Sequence, residues 1–231
     1  MPSSISESLN GRLAALHTER VATWAPEDLA VNVNQRQLLT ETIDRASIVK
    51  PGDVVETFSL LDVEGGTLSL EELVASGPVV LVFFRFAGCP ACNIALPYYE
   101  QHLARPLSEL GVRLVAVSPQ IPERLVDIKR VRGLSFDVAS DQDANLARRF
   151  NILYTFDEAS QTAALAKGKP IGDITGTGTW ELPMPAVVVI DEDRIVRFAD
   201  VSPDWLERTE AEAIVDVVAR LVADRKLAAQ G

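Results

Sequence analysis

Cysteine is scarce in this chain, with two residues among 231, and histidine is equally scarce with two. So few cysteines exclude a disulfide-rich scaffold, and a zinc site with its four ligands has almost no support. Long apolar runs are also missing, because the longest, Val79 to Phe84, is far shorter than a membrane span. No metal site and no membrane-spanning segment are therefore expected.

Basic residues are in deficit as well. There are 22 lysines and arginines against 33 aspartates and glutamates, which gives a net charge of −11. Such a surface repels phosphate backbones and anionic lipid, so we expect neither nucleic-acid nor membrane binding. The polar stretch Met1 to Asn10 lacks the apolar core of a signal peptide, so a cytoplasmic location is expected. Hydrophobic residues make up 47% of the chain, enough for a substantial core.

The first fifty residues predict a helical extension. Helical spacing of apolar residues predicts one helix over Leu9 to Trp24 and a second over Leu29 to Ile48. The stripe that predicts the first helix includes Arg20 among its leucines. Lys50-Pro51-Gly52 ends the extension, so we divide the chain into an arm over 1–50 and a main domain over 51–231. The arm is expected to serve in packing or in contact between two copies of a homodimer.

Strands then alternate with helices, which predicts an α/β domain with a mixed central sheet flanked by helices. The predicted strands span 58–60, 67–68, 79–84, 113–117, 136–139, 186–190 and 194–198. A short helix is predicted to begin at the capping box of Ser69 and Glu72. Further helices are predicted over 90–110, 122–132 and 141–150, and the last one is predicted to begin at Ser202–Pro203. The glycine-rich stretch Asn151 to Pro183 is predicted to be a long loop.

Both cysteines fall in one motif, Cys89-Pro90-Ala91-Cys92, directly after a predicted buried strand. A helix N-terminus carries unpaired N–H groups and a partial positive charge, which favour a thiolate at Cys89. Pro90 fits the first helical turn because it needs no N–H partner there. Cys92 lies one turn further on, within reach of a disulfide. The motif predicts Cys89 as the attacking thiol and Cys92 as the resolving thiol; the alternative is two buried cysteines that serve only packing.

A second part of the site is predicted just before the strand 186–190. An X-Pro bond at such a position is one where a cis bond is retained, so Met184–Pro185 is predicted to be cis and to lie beside the cysteine loop. The alternative is a trans turn that simply starts the strand. Trp180 either covers the cysteine pocket or is an ordinary core aromatic.

Two further side chains have open interpretations. Arg85, four residues before Cys89, is either a cation beside the thiolate or a strand-end residue that faces solvent. Ser118 and Gln120 follow a predicted central strand, so they are expected at the same sheet edge as Cys89. There they line the pocket, although a helix cap explains Ser118 equally well.

The stretch Val79 to Leu96 resembles the peroxiredoxin-like branch of the alkyl hydroperoxide reductase/thiol-specific antioxidant family, whose members carry an Arg-Gly-x-Trp-Cys-Pro-x-Cys-Asn signature. Further similar segments cover about residues 50 to 222: Gly52-Asp53, Phe58 to Leu60, Ala116 to Gln120, Trp180 with Leu182 to Ala186, Val189 to Asp191, and Val201 to Trp205. The resemblance implies a thioredoxin-like fold and a peroxidatic Cys89, whose sulfenic acid Cys92 resolves as a disulfide. It also implies a hydroperoxide substrate, a thioredoxin-like reductant and no prosthetic group.

The chain departs from that family at several positions, among them Gly88, where the signature has Trp. Typical peroxiredoxins have Thr or Ser three residues before the peroxidatic cysteine, where this chain has Phe86. They also have an arginine just before the last long strand, where this chain has Met184–Pro185. Both missing groups position and polarise the peroxide, so their absence argues against fast turnover. A thiol–disulfide oxidoreductase and a redox switch that use the same CxxC motif therefore stay open as alternatives.

Overall fold

Helices and strands alternate through residues 8–228, the part of the chain that the computed structural model describes. The α-helices of this part are α1 (Leu9–Thr23), α2 (Pro26–Thr42), α3 (Leu70–Val74), α4 (Pro90–Tyr99), α5 (Arg105–Glu109), α6 (Pro122–Arg132), α7 (Asn145–Arg149), α8 (Glu158–Ala166), α9 (Ile171–Thr175) and α10 (Ala211–Ala228). Its strands are β1 (Ser59–Asp62), β2 (Thr67–Ser69), β3 (Val79–Phe83), β4 (Arg113–Ser118), β5 (Asp137–Ser140), β6 (Leu153–Thr155), β7 (Glu181–Pro183), β8 (Ala186–Ile190) and β9 (Val196–Val201).

The central sheet contains seven strands in the order β2-β1-β5-β4-β3-β8-β9. Strand β4 pairs in parallel with both β3 and β5, whereas β8 pairs antiparallel with β3 and β9. All residues of β3 and β8 are buried, as expected for continuous apolar strands at the centre of a sheet. The predicted mixed sheet flanked by helices is therefore confirmed. Within residues 8–228, no helix is both long and apolar enough to cross a membrane.

The predicted N-terminal helices are present as α1 and α2, and α1 packs on α4. Leu9 and Leu13 are fully buried in that contact region. The first turn of α1 is held by Glu210, whose carboxylate accepts hydrogen bonds from the backbone N–H of Leu9 at 3.0 Å and of Asn10 at 2.9 Å. The hydroxyl of Tyr98 on α4 donates to the same carboxylate at 2.9 Å. One carboxylate thus joins α1 to the helix that carries the cysteines.

We expect Glu210→Gln to lower the free energy of unfolding at pH 7 by about 1 kcal/mol, since the half-buried charge is partly screened by solvent. Burial opposes ionisation of Glu210, but the N–H donors of Asn10 and Leu9 outweigh burial and lower its pKa. A lowered carboxyl pKa stabilises the fold above the unfolded-state pKa, and this contribution is lost as the pH falls through the folded-state pKa. Urea unfolding of both proteins should therefore show a difference at pH 7 that shrinks toward pH 3. A difference independent of pH would contradict this assignment, and Glu212→Gln is the matched control.

The prediction of a long loop over 151–183 is wrong. This stretch contains α8, α9 and a two-stranded antiparallel sheet of β6 and β7. Its glycines end helices and make turns, with Gly168, Gly176 and Gly178 all at positive φ. The strands have three residues each and the helices are short, so no hydrophobic period is long enough to be recognised in the sequence.

The start of the last helix was also predicted wrongly. It begins at Ala211, and the segment from Ser202 to Glu210 has no helix. The N–H of Ser202 donates to the carbonyl of Pro185 at 2.8 Å, and Asp204 forms an ion pair with Arg36 of α2 at 2.7 Å. These tertiary contacts hold the segment in an irregular course despite its Ser-Pro helix-start pattern. The predicted helix 90–110 is interrupted by a π-helical turn over Glu100–Ala104 between α4 and α5.

Candidate active site

The cysteine motif lies where a buried strand gives way to a helix. Strand β3 ends at Phe83, a short loop follows, and Cys89 is the N-cap of α4 with Pro90 in the first turn. Both cysteines are free thiols, and their exposed fractions are 1% for Cys89 and 0% for Cys92. The predicted strand–loop–helix context of the motif is confirmed. A reagent reaches either sulfur only when neighbouring side chains move.

Hydrogen bonds from both sides hold the loop before Cys89. Oγ of Ser118, at the end of β4, donates to the carbonyl of Arg85 at 3.0 Å. Oε1 of Gln120 accepts from the N–H of Ala87 at 2.8 Å, and Nδ2 of Asn93 donates to the carbonyl of Ala87 at 2.6 Å. Ser118 and Gln120 therefore lie at the sheet edge that the sequence predicts, where they position the loop.

The side chain of Arg85 is buried, with an exposed fraction of 8%, so the solvent-facing alternative is wrong. Its Nη1 donates to Sγ of Cys89 at 3.9 Å. Its guanidinium carbon lies 4.1 Å from the ring centroid of Trp205, 5.9 Å from that of Tyr154 and 5.8 Å from that of Phe156. Aromatic faces attract a cation, so these rings hold the guanidinium beside the sulfur.

A second arginine contacts the other cysteine. Nη2 of Arg208 donates to Sγ of Cys92 at 3.5 Å, and its Nε donates to the carbonyl of Trp205 at 3.1 Å. No sequence pattern indicates Arg208, because it lies 116 positions from Cys92 in the chain. Both sulfurs therefore have a buried cation within hydrogen-bonding distance.

Arg20 of α1 is a further buried arginine. Its exposed fraction is 5%, and it interacts electrostatically with Cys89 and with Arg85. Its guanidinium carbon lies 4.8 Å from the ring centroid of Trp24. The sequence did contain a signal for this residue, namely an arginine in the apolar stripe of a predicted helix.

The two thiols titrate as a pair because they share a hydrogen bond. Donating this bond to Cys92 raises the pKa of Cys89, and burial raises it further. At Cys92 burial opposes the thiolate, but the hydrogen bond from Cys89 and the charge of Arg208 outweigh burial and lower its pKa. The hydrogen bond and Arg208 thus favour negative charge on Cys92, whereas Cys89 holds its proton more strongly. Contrary to the expectation from the helix start alone, the lowered pKa belongs to Cys92.

The remaining predicted site residues are Met184, Pro185 and Trp180. The Met184–Pro185 bond is trans, as are all peptide bonds of the described residues 8–228, so the cis prediction is wrong. The N–H of Met184 donates to the carbonyl of Ile152 at 2.7 Å, which fixes the chain before β8 in this extended course. The half-buried Trp180 packs on Phe156 with ring centroids 6.1 Å apart, as a core aromatic behind the ring that faces Arg85. No three metal-ligating side chains come together in the described part of the chain.

Comparisons with known proteins agree with this architecture. The chain is 34% identical over 110 residues to the thiol-disulfide oxidoreductase ResA of Halalkalibacterium halodurans, covering 46% of this chain and 59% of ResA. It is 29% identical over 105 residues to peroxiredoxin Bcp of Escherichia coli, covering 45% of this chain and 65% of Bcp. The matches thus span less than two thirds of each relative.

A solved structure extends the similarity of the fold. The crystal structure of peroxidoxin BcpB from Mycobacterium tuberculosis superposes with a TM-score of 0.58 at 24% identity, over 75% of this chain and 98% of that one. This likeness confirms the thioredoxin-like fold. The sequence pattern of the AhpC/TSA family matches residues 51–199, which is more than half of the chain and includes both cysteines. On these grounds, the chain belongs to the AhpC/TSA family.

Proposed function

We propose that this protein is a thiol peroxidase that reduces hydrogen peroxide or organic hydroperoxides through Cys89 and Cys92. The observation that carries the proposal is Arg85, whose guanidinium is held by aromatic rings against Sγ of Cys89 at the start of α4. A cation at this distance stabilises a thiolate and the negative charge that develops on the departing oxygen. Membership of the AhpC/TSA family supports the same reaction.

The proposed reaction runs in two steps at the sulfurs. The shared proton moves to Cys92, and the thiolate of Cys89 attacks the terminal oxygen of the hydroperoxide. The O–O bond breaks, and the leaving oxygen takes up a proton as an alcohol or as water, which leaves a sulfenic acid on Cys89. The sulfur of Cys92 then attacks that of Cys89, an S–S bond forms, and the sulfenic oxygen leaves as water. A thioredoxin-like dithiol, which we place with this protein in the cytoplasm, returns two electrons by thiol exchange.

Two buried arginines replace the peroxide-polarising groups that typical peroxiredoxins have and this chain lacks. Phe86 replaces the hydroxyl residue of typical peroxiredoxins, and Met184–Pro185 replaces their arginine. Arg85 and Arg208 supply positive charge at the two sulfurs in their place. We therefore infer that polarisation of the peroxide depends on these arginines.

A thiol–disulfide oxidoreductase is the second candidate, favoured by the CxxC motif and by the similarity to ResA, a protein named for that activity. The burial of both sulfurs argues against it, because a protein disulfide needs an accessible attacking thiol. Burial is less restrictive for a small hydroperoxide. A redox switch is also a weaker candidate than a peroxidase, for the same reason that both sulfurs are buried.

Mixing the reduced protein with one equivalent of hydroperoxide separates these candidates. We expect an intramolecular disulfide within seconds, measured by stopped-flow fluorescence and by a mass loss of two hydrogens. A parallel reaction with a protein disulfide in place of peroxide is expected to be much slower. Thiols that survive peroxide and exchange rapidly with the protein disulfide would overturn the peroxidase proposal in favour of the oxidoreductase.

A further inference from the structure

Positive charge is in excess around the cysteine pair. Arg85 and Arg208 each donate to one sulfur, and Arg20 interacts electrostatically with Cys89. Within residues 8–228, none of the three forms an ion pair with an aspartate or glutamate. Arg36, which interacts electrostatically with Arg20, is bound to Asp204. The two cysteines can supply at most two negative charges against three guanidinium groups. Buried charges without partners are unfavourable, so the cluster is short of an anion.

Unpaired hydrogen-bond donors indicate where such an anion would bind. Nη1 of Arg20, Nε of Arg85 and Oη of Tyr154 are buried without a hydrogen-bond partner. Burial raises the pKa of Tyr154 to about 12, so its hydroxyl keeps its proton at neutral pH. Buried polar groups are nearly always paired in native proteins, so these three atoms are an exception. Arg85 interacts electrostatically with both Arg20 and Tyr154. An anion with two oxygens would satisfy donors from all three side chains.

We propose that Arg20, Arg85 and Tyr154 form a carboxylate-binding site, and that the preferred substrate is an organic hydroperoxide that carries a carboxylate. This inference deepens the proposed peroxidase function and rests on it. A carboxylate suits the site because guanidinium groups bind its two oxygens in paired, charge-assisted hydrogen bonds. Hydrogen peroxide lacks this group and gains nothing from Arg20.

Two alkylating reagents of similar size test the site without any peroxide. Iodoacetate and iodoacetamide each form an S–CH₂ bond with a thiolate and release iodide, and they differ by one carboxylate charge. In Cys92→Ser, where only Cys89 reacts, we expect iodoacetate to react at least about tenfold faster. The ratio of the two rates is independent of the thiolate fraction, because both reagents attack the same thiolate. A ratio near or below one would overturn the proposal.

Substitutions in α1 test whether Arg20 causes the preference for iodoacetate. Arg20→Gln in the same background is expected to bring the ratio down toward one, and Arg20→Lys to restore most of it. Arg12→Gln is the matched control. Arg12 lies on the same helix, but it is not one of the three proposed site residues, and its guanidinium carbon lies 5.3 Å from the ring centroid of Tyr98. An iodoacetate preference that survives Arg20→Gln would remove Arg20 from the site.

If neither reagent reaches Cys89, thermal unfolding tests the carboxylate site instead. Sodium acetate, exchanged for chloride at constant ionic strength, is expected to raise the melting temperature of the wild type but not of Arg20→Gln. No acetate-dependent rise, together with no alkylation, would overturn the carboxylate site. Neither readout depends on peroxidase activity. A protein that prefers iodoacetate but resists hydroperoxides would keep this site and lose the proposed function.

Discussion

Replacing Cys89 with serine is expected to slow oxidation of the protein by hydroperoxide by roughly three orders of magnitude or more. A serine hydroxyl stays protonated at this position and is a poor nucleophile without a base. Cys92→Ser should retain the first step and stop at a sulfenic acid on Cys89, since no thiol remains to form the disulfide. Stopped-flow kinetics with dimedone trapping and mass spectrometry measure both outcomes.

The same pair of variants tests how the thiols share their proton. The hydrogen bond with Cys92 is the main cause of the raised pKa of Cys89, and Arg85 and Arg208 act in the opposite direction. Without the Cys92 thiol, the pKa of Cys89 should therefore fall, and its rate of alkylation should reach half-maximum at a lower pH. Sulfenic acid that forms on Cys92 in Cys89→Ser, at the wild-type rate, would reverse the roles assigned to the two cysteines.

Arg85→Gln is expected to slow oxidation of Cys89 about 100-fold, the usual loss when one preorganised electrostatic donor is removed. Two effects contribute, because the thiolate loses a stabilising cation and the leaving oxygen loses a donor. The first effect moves the alkylation pH profile of Cys89 upward, which a purely structural role for Arg85 would not do. Arg85→Lys keeps the charge but not the planar group that packs on Trp205, so an intermediate rate is expected.

An exposed arginine provides the control for this prediction. Arg220 on α10 donates from Nε to the carbonyl of Asp216 within its own helix. Arg220→Gln should leave the oxidation rate and the pH profile of Cys89 unchanged. If Arg85→Gln slowed oxidation without moving the pH profile, and its melting temperature dropped sharply, Arg85 would be a structural residue only.

Local patterns allowed the strands and the cysteine motif to be predicted. The run Val79 to Phe84 is apolar at every position, so it had to be buried on both faces, and β3 is the central strand it predicts. The capping box of Ser69 and Glu72 opens α3 as expected, with both reciprocal hydrogen bonds present. Such signals act within a few residues, which is why they can be recognised without a fold.

The errors arose where distant contacts overrule a local pattern. Ser202–Pro203 has the form of a helix start, but contacts to Pro185 and from Asp204 to Arg36 keep that segment irregular. Met184–Pro185 is trans although its position before a buried strand predicted cis. In both cases the backbone is set by partners that lie far away in the chain.

The sequence by itself determined the strand and the helix that flank the cysteine motif and the family of the fold, and it predicts the cysteines as the reactive pair, because each depends on residues close together in the chain. Only the tertiary structure decided what surrounds the sulfurs. Arg20, Arg208 and the rings that hold Arg85 come from α1, β6 and the segment before α10, and no sequence spacing relates them. They meet because α1 packs on α4 and because Tyr154 of β6 and Trp205 of the segment 202–210 both contact Arg85, which lies beside Cys89. The electrostatics of the thiols, and with them the expected preference for an anionic substrate, are therefore properties of the packing.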